Sequence, residues 1–309
     1  MKKHKVVIIG SGIAGMTSAI YLKRAGIDVI IIENNAPGGK LNIIPSIENY
    51  PGFESIEGPE LAMNIYKQVK KLDINILFKN IDNIDLENKK INNEIEFDYL
   101  IIATGRNSKL LNIDGEEELI GKGISTCALC DGVFYKDKKV VLVGGANSAL
   151  TESLYLSDIC SKVTVIVRKD KFKGEDYLIN KVLNKDNIKV IYNSNIISYN
   201  KKDSRLVSVT LDNDEIISCD GVFLAIGSTP NSELFDVKKE NNYIIVDSKN
   251  KTNIDYVYAV GDVIKKDIYQ LVTASYDGLT AANDIIKREK KTYLMISFFI
   301  LFINKIFTN

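Results

Sequence analysis

Short apolar runs, glycine turns and amphipathic segments follow one another along the first part of the chain. Residues 6–9 are apolar and rich in β-branched side chains, which predicts a parallel strand buried on both faces. A glycine-rich turn occupies 10–15, and apolar side chains at helical spacing then predict a helix over 16–25 that ends at Gly26. Residues 29–32 predict a second buried strand, so these elements form one βαβ unit.

The same order of elements returns 134 residues further along, counted from Gly10 to Gly144. The elements predicted there are a strand at 140–143, a turn at 144–149, a helix at 149–157 and a strand at 163–167. Further apolar runs end in glycine at 99–105 and 222–227, and residues 258–262 precede a predicted helix at 273–287. This pattern predicts an α/β fold with two Rossmann-like nucleotide-binding domains of the three-layer β/β/α type, the second inserted into the first.

The late strand and helix imply that the chain returns to the first domain after completing the second. We therefore expect residues 1–114 plus 245–292 to form the first domain and residues 115–244 to form the second. Residues 293–309 are an extension that contains an apolar tail, LMISFFILFI, at 294–303. This tail is too short to span a bilayer, which needs about 20 residues. We expect a terminal helix on a surface groove or an extension outside the fold, with a weak membrane or partner contact as the alternative.

The composition narrows the possible partners and chemistry. Lys plus Arg and Asp plus Glu both number 40, which gives no reason to expect a nucleic acid or an anionic membrane as partner. The basic and then apolar start resembles a secretory signal, but its apolar run is short and breaks at Gly10, so we interpret it as a strand and expect a cytoplasmic protein. The sequence contains a single histidine, His4, which lies beside the N-terminus. A catalytic histidine base and a histidine-based metal site are therefore not expected, and we expect no bound metal.

The first glycine turn has the features of a dinucleotide site. Gly10, Gly12 and Gly15 lie between a predicted strand and a predicted helix, and Glu33 ends the next strand. Gly10 permits the tight turn, Gly12 lets the backbone approach a pyrophosphate, and Gly15 lets the helix pack on the strand. The pyrophosphate would lie at the positive end of the helix, and Glu33 would accept hydrogen bonds from a ribose.

The second glycine turn, GGANSA at 144–149, has the same context but carries Ala146 at the position of the middle glycine. A methyl group there would crowd a pyrophosphate. Arg168, Lys169 and Lys173 follow the next strand, where the first unit has an acid. Basic side chains at that place suit a ribose 2′-phosphate and favour NADPH over NADH. A solvated basic face is the other interpretation of these residues.

Cys127 and Cys130, followed by Asp131, form the candidate chemical centre. Two cysteines at this spacing can close a small, reducible disulfide, and a thiolate of the pair can attack a partner's disulfide. Because no histidine is near, Asp131 is the nearest group that can carry a proton, and a buried carboxyl with a raised pKa can do so near neutral pH. Two alternatives remain for the pair. The first is half of a zinc site, which would also need Cys160 and Cys219, but these stand singly and are best interpreted as buried apolar residues. The second is that Cys127 and Cys130 are inert cysteines of the core.

Several ordered segments carry a family resemblance. They are GSGIAG (10–15), GGKLN (38–42), ENYPGF (48–53), ATG (103–105), CALCDG (127–132), GGANSAL (144–150), AVGD (259–262) and QLVTA (270–274). In their order and spacing the chain resembles the low-molecular-weight thioredoxin reductases, which are FAD-dependent pyridine nucleotide-disulfide oxidoreductases of class II. The resemblance covers residues 5 to about 292. A CALCDG segment in the second domain separates this family from larger disulfide reductases, whose cysteines lie in the FAD domain.

The resemblance implies a homodimeric enzyme that uses FAD and NADPH and passes electrons to a thioredoxin-like protein. Cys130 would face the flavin, Cys127 would attack thioredoxin, Asp131 would be the acid, and the NADPH domain would swing about a hinge. The residues implied for FAD are Gly10, Gly12, Ala14, Gly15, Glu33, Gly38, Gly39, Lys40, Leu41, Asn49, Thr104, Gly105, Asp262, Gln270 and Leu271. Those implied for NADPH are Gly144, Gly145, Asn147, Ser148, Ala149, Arg168, Lys169, Lys173 and Gly227.

Some residues depart from the pattern of that family. Ala146 stands at a usual glycine, Lys40 at a usual glutamine, Thr151 at a usual glutamate and Tyr269 at a usual arginine. Lysines stand at usual arginines in the basic segment 167–173. A lysine keeps the charge of arginine but not its planar fork, so these departures bear more on NADPH than on FAD. The apolar tail after residue 293 has no counterpart in the family.

Three functional hypotheses are consistent with these residues. The leading one passes electrons from NADPH through FAD and the cysteine pair to thioredoxin. The second keeps the flavin and the dithiol but takes electrons from a ferredoxin-like or reduced-flavin partner, and it is motivated by Ala146 and by the arginine lost at position 269. The third is a flavin-binding redox sensor without turnover, and it is motivated by the apolar tail.

Overall fold

The computed structural model describes residues 2–44 and 46–307, with side chains to residue 291. The chain forms two compact units, the first made of Met1–Arg106 with Pro230–Asn309 and the second of Asn107–Thr229. Both boundaries lie before the expected ones at 115 and 245. Phe235, Val237 and Ile244 explain the later boundary, because they pack in a core cluster of the first unit.

The helices and strands alternate along the chain. The N-terminal part contains β1 (Lys2–Ile9), α1 (Ile13–Arg24), β2 (Val29–Glu33), a 3₁₀ turn (Gly39–Ile43), α2 (Gly58–Lys71), β3 (Asn75–Phe78), β4 (Ile84–Asp85), β5 (Lys90–Ile91) and β6 (Ile95–Ile102). The middle part begins with β7 (Arg106–Ser108), α3 (Glu116–Leu119), β8 (Ile124–Ser125), α4 (Ala128–Asp131), a 3₁₀ turn (Gly132–Tyr135), β9 (Lys139–Val143), α5 (Asn147–Ser157) and β10 (Lys162–Val167). It continues with α6 (Asp176–Leu183), β11 (Ile188–Tyr192), β12 (Ile196–Lys202), β13 (Arg205–Leu211), β14 (Ile216–Ser218), β15 (Gly221–Leu224) and β16 (Ser228–Pro230). The C-terminal part contains β17 (Lys239–Glu240), β18 (Tyr243–Ile244), β19 (Val257–Ala259), a 3₁₀ turn (Gly261–Val263) and α7 (Leu271–Phe307).

The main sheet of the first unit has the order β3-β2-β1-β6-β5-β4, with β19 also paired to β6. Strands β1, β2, β3, β6 and β19 pair in parallel, and β4 and β5 add an antiparallel edge. Val6 and Ile8 of β1 pack in the cluster that contains residues of α1, α2 and α7, whereas Val7 and Ile9 pack in the cluster on the other face. The apolar run that predicts β1 is therefore apolar because both faces of the strand are covered.

The second unit has three layers. Its parallel sheet has the order β11-β10-β9-β15-β8, and β12, β13 and β14 form a separate antiparallel sheet. Leu142 of β9 packs with residues of α5 and α6, and Val141 packs with Val209 and Leu211 of β13. Helices, parallel sheet and antiparallel sheet thus lie in succession, which confirms the predicted three-layer α/β class.

Helix α7 is longer than the predicted helix at 273–287, because it runs from Leu271 to Phe307 and includes the backbone of the tail. The sequence contains neither glycine nor proline after Gly278, so no helix-ending signal interrupts it. The side chains of the tail lie outside the described residues, and so do the contacts expected of it. Within the described part of the chain, no helix combines the length and the apolar character that a membrane crossing requires.

Leu142→Ala tests the core of the second unit. Leu142 is fully buried, so the variant should lose about 2–5 kcal/mol of unfolding free energy through the cavity that it creates. Leu183→Ala is the matched control, because Leu183 is 53% exposed and its truncation should cost less than about 0.5 kcal/mol. Urea unfolding followed by circular dichroism measures both changes, and equal losses in the two variants would contradict this description of the core.

Candidate active site

The first glycine turn joins β1 to α1 at the carboxyl end of the sheet. A Cβ atom on Gly10 would lie 2.4 Å from the carbonyl oxygen of Ala103, and one on Gly15 would lie 2.1 Å from the carbonyl oxygen of Gly10. The fold itself therefore requires glycine at both positions. Within the part of the chain that the structure describes, a Cβ atom on Gly12 would meet nothing within 4 Å. The space left open at Gly12, before the first turn of α1, fits the pyrophosphate of a dinucleotide.

Glu33, the last residue of β2, is held beside this turn by hydrogen bonds. Its Oε2 accepts from the Ser11 amide at 2.8 Å and from the Ser11 hydroxyl at 2.7 Å. Its Oε1 accepts from the amides of Asn34 and Asn35 at 2.9 and 3.0 Å. Sequence reasoning identified Glu33 but missed Ser11, whose only signal was its place between two glycines.

The next loop, which contains Gly38, Gly39, Lys40 and Leu41, lies against the same turn. The Gly38 amide donates to the carbonyl oxygen of Ser11 at 2.9 Å. A Cβ atom on Gly39 would lie 3.5 Å from the Cα of Gly12. Leu41 is 1% exposed and anchors the loop in the core. The structure thus brings the GGKL segment and the first glycine turn together.

Residues from the C-terminal part of the chain complete this set. A Cβ atom on Gly261, the neighbour of Asp262, would lie 3.0 Å from the Cβ of Ala14. The Asn49 amide donates to the side-chain oxygen of Gln270 at 3.3 Å, and Leu271 begins α7 directly afterwards.

Thr104 and Gly105 follow β6 and are tied to Asn231. The Thr104 hydroxyl donates to the carbonyl oxygen of Asn231 at 2.5 Å. The backbone amide of Asn231 donates to the carbonyl oxygen of Gly105 at 3.0 Å. All of the residues expected to bind FAD thus lie in one unit, the first.

Asp262 has three cationic neighbours. Its carboxylate lies 3.9 Å from Lys40 Nζ, 3.5 Å from Arg106 Nε and 3.8 Å from Lys266 Nζ. The Arg106 guanidinium also lies 3.8 Å from the centre of the Tyr269 ring, so a guanidinium is present beside the position where the family's arginine is missing. Burial lowers the pKa of the Lys40 ammonium, Asp262 opposes that effect, and Arg106 adds to it. Sequence reasoning missed Arg106 and Lys266, because no motif links them to Asp262.

The second glycine turn repeats the close packing of the first. A Cβ atom on Gly144 would lie 2.5 Å from the carbonyl oxygen of Ala225 and 2.8 Å from the Cβ of Ala149, and one on Gly145 would lie 3.0 Å from Val167 Cγ1. Ala146 precedes α5 with φ −105° and ψ 179°, much as Gly12 precedes α1 with φ −66° and ψ 176°. Its methyl group therefore stands at the position that Gly12 leaves without a side chain.

The basic loop after β10 lies against this second turn. The Lys173 amide donates to the carbonyl oxygen of Gly145 at 2.6 Å. Asn147 and Glu175 exchange two hydrogen bonds, from the Glu175 amide at 2.8 Å and from the Asn147 side-chain amide at 3.1 Å. Sequence reasoning missed Glu175. The side chains of Arg168, Lys169 and Lys173 are exposed, Ser148 is the second residue of α5, and Gly227 follows β15 with φ +96°.

Cys127 and Cys130 are joined by a disulfide, with their Cα atoms 5.3 Å apart. Both are partly buried at the short helix α4, and the Cys130 amide donates to the sulfur of Cys127 at 3.2 Å. Cys160 and Cys219 are buried in core clusters on opposite faces of the parallel sheet, so they do not join the pair in a zinc site. Burial raises the pKa of the Cys160 and Cys219 thiols to about 11 and about 12.

Asp131, the last residue of α4, accepts a hydrogen bond from the hydroxyl of Ser125 at 2.6 Å. The same hydroxyl oxygen accepts from the Cys127 amide at 3.0 Å. Burial raises the pKa of the Asp131 carboxyl, and the hydrogen bond from Ser125 acts in the opposite direction. A carboxyl with a raised pKa beside a redox disulfide is suited to proton transfer. No sequence signal identified Ser125.

Known proteins resemble this chain over nearly its whole length. Residues 4–278 match the family described as pyridine nucleotide-disulphide oxidoreductase. The thioredoxin reductase of Rickettsia prowazekii is 39% identical over 301 residues, which cover 92% of this chain and 97% of that relative. The crystal structure of thioredoxin reductase from Streptococcus pyogenes has a TM-score of 0.88 and 32% identity, covering 94% of this chain and 99% of that one.

A ferredoxin-flavin thioredoxin reductase from Clostridium acetobutylicum has also been solved and is similar to this chain. It has a TM-score of 0.51 and 29% identity, covering 94% of this chain and 99% of that one. The matched family, the identity to curated relatives and the redox disulfide agree with one another. The chain therefore belongs to the pyridine nucleotide-disulphide oxidoreductases and, within them, to the low-molecular-weight thioredoxin reductases, oxidoreductases whose cofactors are FAD and NADPH.

Proposed function

We propose that this chain reduces the disulfide of a thioredoxin-like protein with electrons from NADPH, by way of FAD and the Cys127–Cys130 pair. The observation that carries the proposal is the disulfide itself, held in the same unit as the second glycine turn. A pair of cysteines beside a carboxyl of raised pKa is suited to thiol–disulfide exchange.

We assign FAD to the first unit and, with it, to the predicted domain of 1–114 plus 245–292. The space at Gly12 supports a pyrophosphate there, and the carboxylate of Glu33 supports a ribose. Lys40 and Asp262, whose neighbours Gly39 and Gly261 lie close to the same turn, supply charged groups, and Asn49 supplies an amide that is bonded to Gln270. The FAD that these residues would hold would supply the redox chemistry that links the nicotinamide to the disulfide.

We assign NADPH to the second unit, which corresponds to the predicted domain at 115–244. The residues assigned to the dinucleotide backbone are Gly144, Gly145, Asn147, Ser148, Ala149 and Gly227. Arg168, Lys169 and Lys173 would hold the 2′-phosphate. Their exposure and the hydrogen bond that ties the Lys173 backbone to the turn support this assignment.

The thiol chemistry uses three residues. Two electrons open the disulfide to two thiolates, one on Cys127 and one on Cys130. The thiolate of Cys127 then attacks the acceptor's disulfide, and the thiolate of Cys130 attacks Cys127 to release the reduced acceptor. Asp131 gives a proton to the departing sulfur. The Cys130 amide, which donates to Cys127, stabilises a thiolate at Cys127.

The resemblance to the family also supports a homodimer in the cytoplasm. A dimer would be symmetric, as most homo-oligomers are. Sedimentation of the purified full-length chain measures this directly.

A second candidate function changes the electron donor. The methyl group of Ala146 stands where Gly12 leaves open space, which disfavours a pyrophosphate at the second turn. A donor such as ferredoxin would bypass that turn, and one similar structure is described as a ferredoxin-flavin thioredoxin reductase. The flavin, the cysteine pair and the acceptor would keep their roles.

Titration of the purified, flavin-loaded protein separates these donors. NADPH should bleach the flavin absorbance at lower concentration than NADH does, because the exposed basic residues bind the 2′-phosphate. Lys169→Ala combined with Lys173→Ala should weaken NADPH about 10-fold or more and leave NADH unchanged. Bleaching by a low-potential one-electron donor, with no response to NADPH, would reject NADPH and favour the second candidate.

Replacing either redox cysteine tests the dithiol. Cys127→Ser and Cys130→Ser should each lower thioredoxin reduction by about 1,000-fold or more, because the covalent relay is lost. Flavin content should be unchanged, because the FAD residues lie in the other unit. Cys160→Ala is the matched control and should retain the activity, since Cys160 is a buried core residue. Unchanged turnover in both redox variants would exclude the dithiol mechanism.

Asp131→Asn tests the acid. The variant should reduce thioredoxin about 100-fold or more slowly, because general acid catalysis is typically worth that much. Since the pKa of the carboxyl is raised by burial, the acid form persists to higher pH, and the wild-type rate should fall as pH rises through that pKa. The variant should lack this part of the pH profile. A variant with the wild-type rate and profile would refute the role of Asp131.

A further inference from the structure

Ser125, the last residue of β8, joins the backbone of Cys127 to the carboxyl of Asp131. It is 4% exposed. Its oxygen lies 2.6 Å from Asp131 Oδ2, 3.0 Å from the amide nitrogen of Cys127 and 3.3 Å from the carbonyl oxygen of Cys127. Three polar groups around the redox pair thus meet at one buried hydroxyl.

The bonding capacity of a hydroxyl group explains why this arrangement matters. A serine hydroxyl donates one hydrogen bond and accepts two. When Asp131 is ionised, the hydroxyl donates to the carboxylate and accepts from the Cys127 amide. When Asp131 is protonated, its O–H donates to the serine oxygen, and the serine hydrogen turns to the carbonyl oxygen of Cys127. Ser125 keeps hydrogen-bond partners in both states without any movement of the carboxyl.

We propose that Ser125 is a positioning residue that holds the Asp131 carboxyl beside the cysteine pair in both of its protonation states. This inference rests on the proposed function, because it takes Asp131 as the acid. A buried carboxyl without such a partner would need to reorient, or to recruit water, each time it lost or gained its proton.

The transfer step balances without any further reactant. The Cys127 thiolate attacks one sulfur of the acceptor's disulfide, that bond breaks, and the acceptor's other sulfur leaves with the electron pair. The Asp131 proton passes to this departing sulfur, and the Ser125 hydrogen turns from the Cys127 carbonyl oxygen to the new carboxylate. The Cys130 thiolate then attacks the sulfur of Cys127, which re-forms the enzyme's disulfide and releases the acceptor's second sulfur as a thiolate.

The groups that surround Asp131 leave this role to Ser125. Tyr135, on the following 3₁₀ turn, has its phenol pKa raised to about 12 by burial and by the charges of Asp131, Cys219 and Asp220. It therefore stays neutral near pH 7, as does the buried thiol of Cys219. The ring of Tyr155, on α5, packs against Gly132, the next residue after Asp131. Within the described residues, the Asp131 carboxylate accepts its side-chain hydrogen bond from the hydroxyl of Ser125.

Ser125→Ala and Ser125→Thr test the proposal in the flavin-loaded protein. The alanine variant should reduce thioredoxin about 10-fold or more slowly at pH 7, since small misplacements of a catalytic group have effects of at least that size. Its pH profile should shift to higher pH, because a hydrogen bond that favours the ionised carboxyl is lost. The threonine variant keeps the hydroxyl and should restore both rate and profile. Ser153→Ala, at a buried serine of α5, is the matched control and should leave both unchanged.

A second measurement reports on the carboxyl directly. NMR titration with ¹³C-labelled aspartate should show the pKa of Asp131 raised in Ser125→Ala and restored in Ser125→Thr. Adding Ser125→Ala to Asp131→Asn should cost no further activity, because the serine acts through the carboxyl. An unchanged pKa and profile in Ser125→Ala, with or without a slower rate, would reduce the serine to a structural role and overturn the proposal. If Asp131→Asn itself keeps the wild-type rate, the acid assignment fails first and this proposal fails with it.

Discussion

The close approach of a helix to the end of a buried strand is the constraint on which both sites depend. In the first unit, neither Gly10 nor Gly15 has room for a Cβ atom, because the backbone of the turn and that of Ala103 lie too near. Gly144 in the second unit is confined in the same way by Ala225 and Ala149. Only this packing brings the first turn of α1, or of α5, to the carboxyl end of the sheet, where open α/β sheets bind ligands.

Among their differences, the two turns differ at a position where packing does not require glycine, which is Gly12 in the first turn and Ala146 in the second. Within the described residues, nothing lies within 4 Å of a Cβ atom at Gly12, so packing does not account for the glycine, which is consistent with the proposed pyrophosphate. Ala146 places a methyl group at the corresponding position of the second turn. The support for FAD at the first turn and the motivation for a second candidate donor thus come from the same comparison. The basic loop held against the second turn favours NADPH, and the methyl group opposes it.

The polar network around the cysteine pair follows from its place in the second unit. Strand β8 lies at one edge of the parallel sheet, and its last residue, Ser125, is buried. A buried hydroxyl must find partners, and those available are the backbone of Cys127 and the carboxyl of Asp131. The same packing therefore has two opposite effects on the pKa of the Asp131 carboxyl. Burial raises it, and the hydrogen bond from Ser125 lowers it.

The sequence by itself determined the class of fold, the two glycine turns, Glu33 and the redox pair, because each depends on local spacing and on residue types with few alternatives. It did not determine the unit boundaries, which depend on how residues 230–244 pack. It also did not determine the length of α7, because the sequence has no signal that ends this helix. It also did not reveal Arg106 on Tyr269, Lys266 beside Asp262 or Ser125 under Asp131. Those contacts join residues that no local pattern relates, so only the folded chain, by bringing distant segments within hydrogen-bonding or ionic range, decided them.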